Sequence, residues 1–256
     1  MLSKTLVTLA ASMSGALAAT PAGFEPGSET GLVVTFGNIA ALNGVVVAEE
    51  TSQTAPALAT QSKLDGTLFA VLMVDLDIPT NNPPQTSTLL HWLQQGLTQS
   101  SSATSLNTTA GSINAFVLSA PTDEAAFASY NPPAPPARIP LSHEYTQILI
   151  DTSDASAESL SALQTAAANR SGFNALSVLT SVGLADKVVA GNWFNVTNPG
   201  PVSDSSKGSG NSTGGGNGTS SGSSPSQSPI TGAAVVQRAS APLLAFMLAG
   251  VAFFAL

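Results

Sequence analysis

Residues 68–79 read LFAVLMVDLDIP, a continuous apolar run that ends in two aspartates and a proline. A run this short and this apolar is typical of a β-strand that is buried on both faces. Asp75 and Asp77 lie two positions apart, so a continuing strand would place both carboxylates on one side of the sheet. Because charged groups at the end of a buried strand need partners, the stretch predicts a polar site there.

Two histidines and a tyrosine are the natural partners for these carboxylates. His91 and His143 are the only histidines of the chain, and each adjoins a run that predicts a strand. An imidazole that donates one N–H to a carboxylate can present its other nitrogen to an anionic oxygen. We expect Asp77 in particular to have a histidine partner. The candidate ligand-binding residues are therefore Asp75, Asp77, His91, His143 and Tyr145.

A different interpretation of the same side chains is a hydrolytic site around a metal ion. Two histidines and two carboxylates suit zinc in principle. The sequence contains neither a His-Glu-x-x-His zinc motif nor a glycine-rich phosphate loop, which disfavours this interpretation. We therefore expect a binding protein and not an enzyme, with no cofactor and no metal.

Further apolar runs predict a mainly β fold. They occupy residues 32–36, 45–47, 113–118, 145–150 and 188–196, and proline-rich turns separate several of them. Two helices are predicted late in the chain, over 155–169 and 173–182, the second with Ser171 as its N-cap and Gly183 as its C-cap. Many strands followed by two helices predict an antiparallel sheet or sandwich with a small helical addition.

Both ends of the chain carry the patterns of processing signals. Residues 1–19 combine one lysine, a short apolar run and an Ala-Leu-Ala end, which predicts a secretory signal peptide. Residues 201–232 are rich in Ser and Gly and predict a flexible linker. Residues 233–256 end in an uncharged apolar tail, which predicts a GPI-attachment signal with Gly232 as the attachment site. A site near Gly222 and a C-terminal transmembrane helix are the alternatives.

This organisation leaves residues 20–200 as one folded domain outside the cell, tethered to the plasma membrane or cell wall. Asn-x-Ser/Thr sequons support a secretory route and predict N-glycosylation at Asn107, Asn169, Asn195, Asn211 and Asn217.

Charge and cysteine content exclude several classes of function. The formal net charge is −8, so the protein would repel nucleic acid, and it would contact membranes only through its lipid anchor. The chain has no cysteine, which rules out disulfides and cysteine-based metal or redox chemistry. An anionic ligand must therefore bind in a local pocket.

Four motifs, in order, resemble one known family. DLDIP at 75–79, HWL at 91–93, YNPPAPP at 130–136 and HEY at 143–145 are similar to the signature segments of phosphatidylethanolamine-binding proteins of the fungal secreted type. The resemblance spans roughly residues 30–197. Three positions depart from the family pattern: Leu76 replaces a proline, Glu144 replaces a basic residue, and Phe194 stands where many members carry an aromatic hydroxyl.

The resemblance implies a two-sheet antiparallel β-sandwich with one anion pocket, lined by the five candidate residues. It implies a phosphate-bearing small molecule or a phospholipid headgroup as the partner. The family also includes the yeast carboxypeptidase Y inhibitor, so the alternative function is inhibition of a protease.

Overall fold

A computed structural model describes residues 20–200, and these form a mainly β fold, as the sequence predicts. The predicted signal peptide, linker and C-terminal tail lie outside the described residues. Among residues 20–200, no helix has both the length and the apolar character needed to span a membrane. The strands are β1 (Leu32–Phe36), β2 (Ile39–Ala40), β3 (Ala57–Thr60), β4 (Phe69–Pro79), β5 (Thr86–Gln99), β6 (Thr104–Thr108), β7 (Gly111–Ser119), β8 (Ser142–Asp151) and β9 (Val188–Thr197).

All strand pairings within this set are antiparallel. The hydrogen-bonded order is β2-β1-β3-β7-β5-β4-β8-β9, with β6 added beside β7. β4 lies between β5 and β8, and its first seven residues are buried. The strand predicted from the apolar run at 68–74 is therefore confirmed.

β5 connects the two halves of this series by bending at Gly96. Most of its residues pair with β4, but Thr98 and Gln99 pair with β7 instead. Gly96 has a φ of +71°, a value that residues with a Cβ rarely adopt, and the β4–β5 register is interrupted around it. The glycine thus allows one long strand to serve both halves.

The apolar core explains why the run in β4 is unbroken. One face of β4, including Phe69 and Met73, packs with β1, β8 and β9; Phe36 of β1 meets Phe194 of β9 edge to face, with ring centroids 5.4 Å apart. The other face, including Leu72, packs against the helices. Burial of both faces from water favours an apolar side chain at every position.

Two short helices follow β8, shifted from their predicted bounds. They are α1 (Ala157–Ala167), capped by Ser156, and α2 (Ala175–Ser181). The predicted N-cap Ser171 is wrong, because Asn174 accepts the Ser177 N–H at 2.8 Å. Gly172 has a φ of +66° and donates its N–H to Thr88 of β5 at 2.8 Å, which delays the start of α2. The C-cap of α2 is Val182, one residue before the predicted Gly183, which follows it with a φ of +71°.

The run at 45–47 does not form a strand of the sheet. It makes an isolated parallel bridge beside β9. The Val47 N–H donates to the Asn195 backbone carbonyl at 2.8 Å, and the Asn195 backbone N–H donates to the Val45 carbonyl at 3.0 Å. Val46 is 64% exposed, so its apolar character does not report burial in the core.

Candidate ligand-binding site

Asp75 and His143 form the centre of a buried polar group. They lie on the neighbouring strands β4 and β8, which place Asp75 opposite Tyr145. His143 Nδ1 donates to Asp75 Oδ2 at 2.8 Å, and each residue is 1% exposed. This bond fixes the proton on Nδ1. It leaves His143 Nε2 with no hydrogen-bond partner among the described residues.

His91 enters the same group from β5. Its Nδ1 lies 2.7 Å from the carbonyl oxygen of Asn131, so Nδ1 is the protonated donor. Its Nε2 is buried, lies 3.8 Å from Asp75 Oδ2, and has no hydrogen-bond partner among the described residues. Two imidazole nitrogens therefore stand unsatisfied around one carboxylate.

Tyr145 packs between the two imidazoles. Its ring lies edge-on to the His91 ring, with centroids 5.1 Å apart, and roughly parallel to the His143 ring, with centroids 6.5 Å apart. It also stacks on the Phe194 ring at a centroid distance of 5.5 Å. Burial and the neighbouring Asp75 carboxylate raise the pKa of Tyr145, so its hydroxyl keeps its proton. Phe194 supports this ring and adds no hydroxyl of its own.

Burial also decides the charge of His91. Loss of hydration lowers the pKa of this imidazole. The Asn131 carbonyl and the Asp75 carboxylate act in the opposite direction, and the positive charge of Arg170 acts with burial. The net direction is downward, so His91 is neutral at pH 7.

Asp77 lies beside this group and has no histidine partner. Its Oδ2 accepts the backbone N–H of Glu144 at 2.8 Å, and its own N–H donates to Asp75 Oδ1 at 2.8 Å. The β4–β5 register is irregular between Asp75 and Ile78, so the simple alternation of a straight strand does not hold there. The expected pairing of Asp77 with a histidine is therefore wrong; Asp75 has that role.

Two residues that support the site were not predicted from the sequence. Asn131 holds His91 from both sides, because its N–H also donates to the His91 carbonyl at 2.8 Å. Arg170 donates to the carbonyls of His91 at 3.2 Å and Ser129 at 2.8 Å, which fastens the 128–131 segment to β5. Both act largely through backbone carbonyls, and such contacts leave no side-chain pattern in a sequence.

The group is closed to solvent in this conformation. Tyr145 is 0% exposed and His91 is 3% exposed. The Nε2 atoms of both histidines are therefore shielded from water in this conformation. Among residues 20–200, no set of three or more His, Asp or Glu side chains has the geometry of a metal site.

The predicted sugar sites differ in accessibility. Asn107 and Asn169 are exposed. Asn195 is only half-exposed on β9, and its Nδ2 donates to the Gly44 carbonyl at 2.9 Å. Asn211, Asn217 and the predicted anchor site Gly232 lie beyond residue 200, outside the described part of the chain.

Comparison with known proteins finds one matching family and several similar solved structures. The profile of the phosphatidylethanolamine-binding protein family matches residues 33–194. Similar solved structures include a carboxypeptidase Y inhibitor complexed with its cognate proteinase, with 17% identity over 67% of this chain and 85% of that chain and a TM-score of 0.47. A phosphatidylethanolamine-binding protein from Plasmodium vivax shows 14% identity over 65% of this chain and 84% of that chain, with a TM-score of 0.45. No curated protein matches the chain.

Proposed function

The chain belongs to the phosphatidylethanolamine-binding protein family, and we propose from this that it is an extracellular binding protein, not an enzyme, whose buried histidine pair holds a small anion. The ligand is a phosphate ester or the phosphate of a phospholipid headgroup. The observation that carries the proposal is the pair of buried Nε2 atoms of His91 and His143, which have no partner among the described residues. A buried polar atom without a partner costs free energy, which a ligand can recover.

Proton uptake accounts for how a neutral imidazole would bind an anion. An imidazole that gains a proton at Nε2 becomes a donor to a phosphate oxygen. At His143 the new charge would be stabilised by Asp75, which already accepts from Nδ1 at 2.8 Å. The Tyr145 hydroxyl, held protonated, is a third donor beside them. Anion binding and proton uptake are therefore coupled, and affinity rises as pH falls.

A two-sheet sandwich would suit this site. The core that β1 shares with β4, β8 and β9 supports an arrangement in which these strands face one another. The bend of β5 at Gly96 would carry the chain from one sheet to the other. The histidine pair would then lie on the inner face, where a small headgroup is shielded from water.

Calorimetric titration with O-phosphoethanolamine, and with ethanolamine as the phosphate-free control, tests the proposal. We expect the phosphate ester to bind and ethanolamine not to bind at this site. His143→Gln should weaken binding by about tenfold or more, because a charge-assisted contact is lost. Glu158→Gln, on the exposed side of α1, is the matched control and should bind like the wild type. Equal affinity in His143→Gln would refute the proposed site.

Native mass spectrometry of the purified protein separates the remaining alternatives. A retained phospholipid would identify a lipid headgroup as the ligand source, and a retained phosphate ester would identify a soluble one. A stoichiometric metal ion would instead support a hydrolase, and a co-purifying protease would support inhibition. Neither of the last two outcomes is expected.

A further inference from the structure

A cavity of about 590 Å³ lies between the sheet, the turn before α2 and the N-terminal segment 21–25. Val74 and Leu76 pack in the apolar cluster that faces the helices, whereas Tyr145 packs in the cluster on the other face of β4. Val74 and Leu76 of β4 and Glu144 of β8 line this cavity. It is therefore separate from the site proposed above. Its volume lies within the range of small-molecule sites.

The walls of the cavity are fastened by hydrogen bonds. The turn between the helices is held to β5, because Thr88 Oγ1 donates to the Phe173 carbonyl and Gly172 donates to the Thr88 carbonyl, both at 2.8 Å. Two hydrogen bonds join the ends of the N-terminal segment. The Thr20 N–H donates to the Ser28 carbonyl, and the Ser28 N–H donates to Thr20 Oγ1, both at 3.0 Å. A cavity with such walls is formed before a ligand arrives, which lowers the entropic cost of binding.

The lining combines apolar surface with negative charge. Glu25 and Glu144 are its charged residues, and no Lys, Arg or His lines it. Leu176 remains 43% exposed. The apolar lining residues with large side chains are Phe24, Val74, Leu76, Phe173 and Leu176.

Glu144 is the side chain in this lining that most needs a ligand. It is half-buried, and its carboxylate accepts no hydrogen bond from the described residues. Burial and the Asp77 carboxylate raise its pKa, so its negative charge is costly without a positive partner. A cation placed against it would offset this cost.

We propose that this cavity binds a small organic ammonium ion that carries an apolar arm. The ammonium group contacts Glu144, with Glu25 adding to the negative potential, and the arm packs on Leu76 and Phe173. An anion would be repelled by the two carboxylates, and a neutral analogue would keep only the apolar contact.

NMR titration of the purified protein with 2-phenylethylammonium, 2-phenylethanol and 3-phenylpropanoate tests this inference. The ammonium compound should bind at least about tenfold more tightly than the alcohol, and the carboxylate should not bind. Equal affinity for the ammonium compound and the alcohol, or no binding of the ammonium compound, would overturn the proposal.

Variants place the binding in this cavity. Glu144→Gln, which keeps the side-chain shape, should weaken ammonium binding by about tenfold. Leu176→Arg, at an exposed position, should weaken it by charge repulsion even if Glu144→Gln folds poorly. Glu158→Gln, on the exposed side of α1 and outside the cavity lining, is the control and should bind the ammonium compound normally. An unchanged affinity in both Glu144→Gln and Leu176→Arg would contradict the assignment.

Discussion

Asp75 is the residue on which the histidine site is organised. Its Oδ2 accepts a hydrogen bond from His143 Nδ1, its Oδ1 accepts one from the Asp77 N–H, and the whole residue is 1% exposed. Asp77 is half-exposed and satisfies one backbone N–H. From the sequence, the spacing of the two aspartates predicts a shared face, and Asp77 was expected to be the one paired with a histidine. The β4–β5 register is irregular after Asp75, so the two carboxylates have different partners.

Asp75→Ala is expected to be clearly more destabilising than Asp77→Ala. Removing Asp75 leaves the buried His143 Nδ1 without an acceptor, which costs roughly 1–3 kcal/mol. Water can replace Asp77 at its partly exposed backbone partner, so that loss is smaller. Urea unfolding of both variants measures the difference. A larger loss in Asp77→Ala would show that the wrong carboxylate has been assigned as the central one.

The neutral state of His91 predicts a specific loss of stability in acid. Burial lowers its pKa below the usual 6.5, so the folded state resists protonation more than the unfolded chain does. The stability that this difference supplies is fully present above pH 6.5 and is lost as pH falls through the lower pKa of the folded protein. Tm measured from pH 8 to pH 5 should fall less steeply in His91→Gln than in the wild type. Parallel curves would mean that His91 titrates normally.

At the scale of elements, burial on both faces decided what the sequence could predict. β4 has apolar residues at almost every position, and β8 carries a short apolar run at residues 148–150; their strands were predicted from those runs. β5 has only a short apolar stretch on either side of His91, and β6 is mostly polar, so neither has an unbroken apolar run as long as that of β4. In the run at 45–47 only Val47 is buried in the core, and the segment is held beside β9 by backbone hydrogen bonds.

Replacing Gly44 with alanine tests whether the segment at 45–47, which lies beside β9, contributes to the stability of the fold. Its φ is +71°, and a Cβ at this position would lie 2.2 Å from the Trp193 ring. Gly37 is a matched control, with a φ of +60° and no atom within 4 Å of the place that a Cβ would take. Gly37→Ala should cost about 1–2 kcal/mol from backbone strain alone. Gly44→Ala should cost a further ~1–3 kcal/mol, because the tryptophan must move. Equal losses in thermal or urea unfolding would show that Trp193 does not pack as described.

At the scale of the whole molecule, charge and processing set the context for binding. The net charge of −8 cannot attract an anion from a distance, so affinity must come from the local histidine site. Secretion, the linker and the lipid anchor remain predictions from residues 1–19 and 201–256. They matter because a tethered binding protein meets only ligands at the cell surface.

Mass analysis of protein from its native host checks processing and glycosylation together. The N-terminus should lie near Ala19 or Thr20, and the C-terminal peptide should carry a glycolipid. Asn107 and Asn169 should carry sugar, since both are exposed. Asn195 should not, because its Nδ2 is engaged by the Gly44 carbonyl. A chain intact through Leu256 would contradict the anchor, and full occupancy of Asn195 would contradict the edge contact.

Imidazole ¹⁵N NMR with inorganic phosphate tests the proposed anion site most directly, because the chain has only two histidines and both are in the site. One variant, His91→Gln, assigns the two sets of signals. We predict that phosphate shifts the Nε2 signals of both histidines and moves His91 towards its protonated form, raising its pKa. Ring signals that stay unchanged at saturating phosphate, at every pH between about 5 and 8, would contradict the site.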